Sequence, residues 1–264
     1  MDIDKSFSWT VTRDVRNNNP LLSRGIRGLI VGKSNCGKTT LLLNLLLRDG
    51  WLDYNRLYVF GKSLHQPEYV ILKKGFAAEL TKAQLTNLFK NQDEVKRLNT
   101  TPEIIIEQYI KGHCNDEQLK IKGDFFTDSS LIPDPSELDV NKKNLLVMDD
   151  CLLERQNKAE AYYTRGRHNN CDSFYISQNY FRLPRQTIRE NANFIILFPQ
   201  DMKNLNHIFA DHCSADMNIK EFKAFCKISW EAKPHNFIVI DLSSSKYNGK
   251  YRCNLDNFYF PENL

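Results

Sequence analysis

Gly32-Lys33-Ser34-Asn35-Cys36-Gly37-Lys38-Thr39 sets two glycines, a lysine and a hydroxyl at the spacing Gly-x-x-x-x-Gly-Lys-Thr. A glycine-rich turn that runs into a helix points successive backbone N–H groups at one concavity, which suits a polyphosphate. Lys38 of such a loop reaches the β- and γ-phosphates, and the Thr39 hydroxyl helps hold Mg²⁺. The candidate nucleotide contacts are therefore Gly32 through Thr39, with Thr40 beside them.

A second station is Asp149-Asp150, at the end of the apolar run Asn144–Met148. Asp149 is the candidate for the Mg²⁺ shell, and Asp150 for the general base that polarises an attacking water. Glu154 competes for the base role, and the bland alternative is a pair of acids capping a helix at Leu152–Glu154. Gln178 ends another apolar run, Ser173–Ile176. Its amide can donate to a γ-phosphate and accept from the lytic water, a sensor's chemistry; the alternative is a solvated loop amide. Arg165 and Arg167, in Arg165-Gly166-Arg167-His168, offer planar forks for phosphoryl oxygens, or merely suit a helix C-terminus.

These residues must be positioned by alternating elements. Strands are expected near Ile26–Val31, Arg56–Phe60 (closed by Gly61), Asn144–Met148, Ser173–Ile176 and Phe194–Phe198. Helices are expected over Thr40–Leu47, over Arg155–Arg167 and within Met202–Trp230, with two surface helices across 82–111. Residues 111–143 read as a long loop, and 1–25 as an N-terminal arm ahead of a domain over 26–264. Phe237–Ile240 and Lys250–Arg252, joined through Asn248-Gly249, suggest an antiparallel addition with a primed turn at the sheet edge. The class is α/β, a mostly parallel central sheet between helices; if the chain is similar to phosphate-loop ATPases with a separate acidic strand, one strand is inserted between those carrying the loop and the acidic pair. Arg165 and Arg167 then lie at the far end of the sheet from their own phosphate site. They would serve a neighbouring copy, which implies a ring.

Composition is that of a globular chain: 264 residues, 41% apolar, 26% charged, formal charge +4. So small a charge makes any nucleic-acid surface local. Seven cysteines without Cys-x-x-Cys spacing indicate reduced intracellular thiols. Asp211-His212-Cys213 with His207 and Cys226 has the wrong ligand-pair spacing for zinc. The polar, acidic start is no signal peptide, and no apolar run is long enough to span a bilayer, so a soluble protein without a membrane tether is expected.

The loop, Leu-Leu-Val-Met-Asp-Asp, Tyr-Thr-Arg-Gly-Arg-His-Asn-Asn, and Ser-Gln-Asn-Tyr-Phe-Arg-Leu-Pro-Arg-Gln-Thr-Ile-Arg follow in one order. From about residue 20 to 240 the chain resembles the genome-packaging ATPases of polintons, virophages and large eukaryotic DNA viruses, in the FtsK–HerA superfamily of DNA translocases. The resemblance implies a RecA-like phosphate-loop ATPase fold of the additional-strand type. It also implies ATP and Mg²⁺ as ligands, and ATP-driven movement of double-stranded DNA into a capsid. Its partners would be a capsid or portal-vertex component and copies of itself in a pentameric or hexameric ring. The setting would be the host nucleus, a cytoplasmic virus factory or the virion. Gly166-Arg167 matches the Gly-Arg pair that precedes the sensor strand, which makes Arg167 the first choice for an arginine finger acting in trans and Arg165 the second. Gln178 falls on the sensor position. The superfamily often has Glu at the position of Asp150, which loosens the base assignment. No sign is seen of the extra β-barrel or membrane module of cellular relatives, so the motor core alone is expected. Candidate DNA-gripping residues are Lys62, Lys73 and Lys74 after the second strand, with Arg182 and Arg185 beyond the sensor. A nucleoside or nucleotide kinase and a regulatory NTP-binding assembly module are the alternatives.

Overall fold

The computed structural model describes residues 18–90 and 121–262. Residues 1–17 of the expected arm, and the second surface helix with Ile104–Ile106, lie outside the described residues.

The first half runs β1 (Arg27–Val31), α1 (Lys38–Leu47), β2 (Arg56–Gly61), α2 (Pro67–Ala77), α3 (Lys82–Lys90) and β3 (Lys122–Phe126). The second half runs β4 (Asn144–Asp149), α4 (Asn157–Arg165), β5 (Cys171–Ser177), β6 (Phe194–Leu197), α5 (Met202–His212) and α6 (Ile219–Glu231), then β7 (Ile238–Asp241), β8 (Tyr251–Cys253) and β9 (Asn257–Tyr259). Among the described residues nine strands make one sheet, ordered β3-β2-β4-β5-β1-β6-β7-β8-β9. It is parallel from β3 to β6 and antiparallel from β6 to β9. The expected α/β sheet with an inserted strand is observed: β5 lies between β1 and β4, with Gly28 opposite Phe174 and Val147 opposite Phe174.

Both faces are covered, so the strands are apolar on both sides. Successive residues alternate between two cores. Leu29, Val31, Tyr58, Phe60, Leu146 and Met148 pack with residues of α4, α5 and α6. Ile30, Leu57, Val59, Leu145 and Val147 pack with residues of α1, α2 and α3. In α1, Leu42, Leu43, Leu45, Leu46 and Leu47 are buried, so the helix that starts at the loop is anchored along its length. Burial of one such leucine contributes roughly 1.5–3 kcal/mol.

Four differences from the expected elements have physical reasons. Within the expected 111–143 loop, β3 pairs with β2, Lys122–Phe126 against Arg56–Phe60. Its sequence Lys-Gly-Asp-Phe-Phe is that of a half-buried edge strand with no apolar alternation to read. Gly123 gives room there, since a Cβ would stand 3.0–3.1 Å from the Phe76 side chain, a tight contact. Helix α2, which went unforeseen, begins with Pro67 at its first turn, a favoured place for proline. The expected helix over Arg155–Arg167 is shorter: α4 ends at Arg165, and a 3₁₀ turn over Gly166–Asn169 carries Arg167. Finally, β7 and β8 are antiparallel as expected, but no two-residue primed turn joins them. A longer connection over 242–250 does so, in which Gly249 has positive φ and Asn248 does not. Primed type I′ turns need both. Strand β9 then extends the edge further.

Candidate active site

The phosphate loop spans the gap between the C-terminal end of β1 and α1. Gly32 is needed because a Cβ would come within 2.5 Å of Cys36 Sγ and 2.7 Å of Phe198 Cβ. Gly37 caps α1 at φ 106, a left-handed conformation that favours glycine. Asn35 is also left-handed at φ 60. The Lys38 ammonium donates to the carbonyls of Gly32 and Lys33, both at 2.6 Å, and so braces the loop around its concavity. No side chain caps the first turn of α1, so its amides face the loop's own concavity.

A cavity of about 570 Å³ opens at the C-terminal ends of β1, β4 and β5. Its walls bring together Lys33, Ser34, Asn35, Lys38 and Thr39 from the loop, Asp149 and Asp150 from the end of β4, and Gln178 from the end of β5, with Arg182 beside them. Crevices outside the carboxyl ends of parallel strands are where ligands bind in open α/β sheets. A neighbouring cavity of about 630 Å³ lies along the exposed side of α1, where Lys38, Thr39, Thr40 and Asn44 meet Phe198 and His235. His235, left-handed at φ 61, has Nδ1 3.2 Å from the Cys36 carbonyl. Sequence reading gave no sign of this residue.

Asp149 is half-buried, and the Tyr69 hydroxyl donates to its Oδ2 at 2.5 Å. Burial raises the Asp149 pKa from the ordinary carboxylate range; the Tyr69 hydrogen bond and the Lys38 charge oppose this, and the Asp150 charge adds to it. Burial likewise raises the Tyr69 phenol, with the Asp149 carboxylate next to it. Asp150 is exposed and left-handed at φ 55, with Ser63 Oγ donating to its Oδ2 at 3.1 Å. No helix begins at Leu152–Glu154, where the chain makes a turn, so the acidic pair caps nothing there. Glu154 is engaged by Lys62 at 3.3 Å.

Hard oxygen donors suit magnesium, which takes one or two carboxylates and fills its shell with substrate phosphate and water. The Thr39 hydroxyl and Asp149 carboxylate line one cavity and fit that pattern. Among the described residues no group of three or more His, Cys, Asp or Glu side chains could hold a metal ion alone. Around Asp211-His212-Cys213, Tyr180 bonds both Asp211 Oδ2 (2.8 Å) and His212 Nε2 (2.7 Å), which makes a packing network of that motif.

Arg165 and Arg167 are not in this cavity. They lie before the start of β5, at the opposite end of the sheet from Gln178. Arg165 pairs with Asp134 at 3.3 Å. Arg167 is exposed, no carboxylate among the described residues pairs with it, and its charge helps to lower the Arg27 pKa after burial does so. Of the candidate DNA contacts, Lys62 also donates to the Thr127 carbonyl (3.0 Å), Lys73 and Lys74 lie on α2, and Arg185 pairs with Glu190 (3.2 Å). Among the described residues no helix is long and apolar enough to cross a membrane.

Fold and loop together define a phosphate-loop α/β protein with an additional central strand. No known protein-family model matches the chain, and a search of curated proteins finds no match either. Among solved structures it is similar to the genome packaging NTPase B204 from Sulfolobus turreted icosahedral virus 2 in complex with AMPPCP. That match has 12% identity over 86% of this chain and 95% of that one, with a TM-score of 0.46. It is also similar to B204, the DNA-packaging ATPase from Sulfolobus turreted icosahedral virus (13% identity, 83% of this chain, 95% of that one, TM-score 0.46). A third is VirB4 of Thermoanaerobacter pseudethanolicus (12% identity, 85% and 90% covered, TM-score 0.44).

Proposed function

We propose that the chain is an ATPase that drives double-stranded DNA through a ring of its own copies, as the packaging ATPases with similar motifs do. The carrying observation is the split of catalytic types along β5. Lys38, Thr39, Asp149, Asp150 and Gln178 share one cavity at its C-terminal end, and Arg165 and Arg167 stand beyond its N-terminal end.

In this reading the loop amides and Lys38 bind the ATP phosphates, and Asp150 accepts a proton from the attacking water. Gln178 orients that water against the γ-phosphate. Thr39 and Asp149 would hold Mg²⁺, which would supply charge neutralisation to the phosphates. Arg167 from the adjacent copy stabilises charge on the transferring phosphoryl group, with Arg165 as its second. Duplex DNA is gripped at its phosphates, without base reading, by basic residues drawn from Lys62, Lys73, Lys74, Arg182 and Arg185. Arg182, lining the catalytic cavity, is as well placed for ATP phosphates as for DNA. A capsid or portal-vertex component is the docking partner, and the catalytic domain is proposed to span 26–264.

The test is ATP hydrolysis by the purified full chain with and without long duplex DNA. Hydrolysis stimulated by DNA and abolished in Lys38→Ala supports the motor. Phosphate transfer to an added nucleoside would make the protein a kinase, and binding without turnover would make it a regulatory module.

A further inference from the structure

Each of the three acidic side chains at the end of β4 is held by the segment that follows β2. Tyr69 donates to Asp149 (2.5 Å), Ser63 donates to Asp150 (3.1 Å), and Lys62 pairs with Glu154 (3.3 Å). The register explains why one segment meets all three. Strands β2 and β4 are neighbours with Gly61 opposite Asp149, so the chain leaving β2 must pass along the acidic end. Gly61 permits the approach, because a Cβ there would stand 2.9 Å from the Asp149 carbonyl oxygen. The Tyr69 ring is 1% exposed and packs in the core with residues of α1 and α3. Its hydroxyl is thus fixed by ring packing, whereas a solvent-side donor would swing. Lys62 is tied a second time, to the Thr127 carbonyl.

We infer that the segment from Lys62 to Tyr69 is a clamp for the site's carboxylates, in which Tyr69 is the positioning residue for Asp149 and Ser63 the one for Asp150. This rests on the hydrolysis reading above. With Oδ2 of Asp149 engaged by a locked phenol, the carboxylate is held in one orientation beside the cavity it shares with Thr39, where the two would hold Mg²⁺. Outer-shell donors of this type fix ligand orientation, and their loss typically costs metal affinity. The Lys62 pair engages Glu154 and leaves Asp150 as the base. The clamp also joins α2 to the nucleotide site, so movement of α2 reaches Asp149 through one hydrogen bond.

Tyr69→Phe keeps the ring and removes only the donor. The affinity of the full chain for a non-hydrolysable ATP analogue is measured by calorimetry with Mg²⁺ and with chelator, beside the thermal unfolding midpoint. Affinity under chelator should stay within about twofold of wild type, while the Mg²⁺ concentration needed for half-maximal tightening rises about 10- to 100-fold. A wild-type Mg²⁺ dependence in Tyr69→Phe overturns the assignment. Equal losses with and without Mg²⁺ also overturn it, since they report packing alone. Ser63→Ala, in a turn, gives an independent reading: unchanged analogue binding with a lower kcat, and an unchanged kcat refutes the clamp on Asp150. A wild-type protein that binds no analogue at all defeats the hydrolysis reading itself, and the clamp with it.

Discussion

Removing Arg167 tests the geometry most directly. Strand β5 runs from Cys171 to Ser177. At about 3.3 Å per residue it separates its ends by about 20 Å, and Arg167 and Gln178 lie beyond those ends. No arginine side chain covers that distance, so within one chain Arg167 cannot meet a phosphate held by Lys38. If its guanidinium stabilises the transferring phosphoryl group of a neighbour, Arg167→Ala should lower kcat by about 10³-fold or more, the scale of an arginine finger. Analogue affinity per site should change far less. The decisive assay mixes Arg167→Ala with Lys38→Ala, each inactive alone. In an equimolar head-to-tail ring, about a quarter of the interfaces join an intact loop to an intact arginine. Hydrolysis should therefore recover toward about a quarter of the wild-type rate per chain, whatever the ring size. Mixtures no more active than their components would refute the trans role, as would an Arg167→Ala protein with near wild-type kcat. Arg165→Ala should show a smaller loss, because that side chain is engaged by Asp134.

Two further outcomes concern stability. Asp172 is 1% exposed and accepts from the Ile26 amide (2.8 Å), Asn18 (2.7 Å) and the buried Lys143 ammonium (2.9 Å). Asp172→Ala strands that ammonium at about 3–5 kcal/mol. At roughly 2–4 °C per kcal/mol the midpoint should fall by some 6 °C or more, and a fall under about 2 °C would contradict the burial argument. Burial lowers the His212 pKa from 6.5 to about 4, with Lys250 and Arg189 adding to this and Asp211 opposing it. The folded protein thus holds His212 neutral, and this stability is fully present above the unfolded pKa and lost as pH falls from 6.5 toward 4. The gap bounds the effect at about 3 kcal/mol. Denaturant titrations across that range should show a flatter profile for His212→Gln than for wild type, and parallel profiles would refute the assignment.

Sequence carried the sheet's class and the place of the candidate residues, and missed some elements around them. The loop motif, the acidic pair and Gln178 each follow a buried apolar run, a pattern local enough to read, and the inserted position of β5 came from the pattern of phosphate-loop ATPases. Elements whose signal is not local were lost. Helix α2 opens on Pro67 and contains Gly75, two residues that read as breaks, and its apolar face shows only in the fold, where Phe76 lies against Gly123 of β3 and Gly75 against Leu85 of α3. Strand β3 exists because β2 offers it an edge, not because Lys-Gly-Asp-Phe-Phe prefers extension. Tyr69 was invisible for the same reason: its meaning lies in a contact between two elements eighty residues apart in sequence. Arg167 could be placed at the far end of the sheet from the chain alone, but the copy it is proposed to serve is another chain.

All seven residues of β5 are buried, and it is hydrogen-bonded along both edges, by β1 and by β4. So enclosed a strand neither bends nor slides by itself. In the proposed function it is a push-rod, with the proposed sensor Gln178 at one tip and the proposed finger Arg167 at the other. If the copies form the proposed ring, displacement registered at Gln178 of one copy would be delivered at Arg167 to the next copy's site. Such contacts run head to tail and share one sense around the circle. On that proposal the handedness of firing would follow from the polarity of a single strand, β5, which lies between β1 and β4.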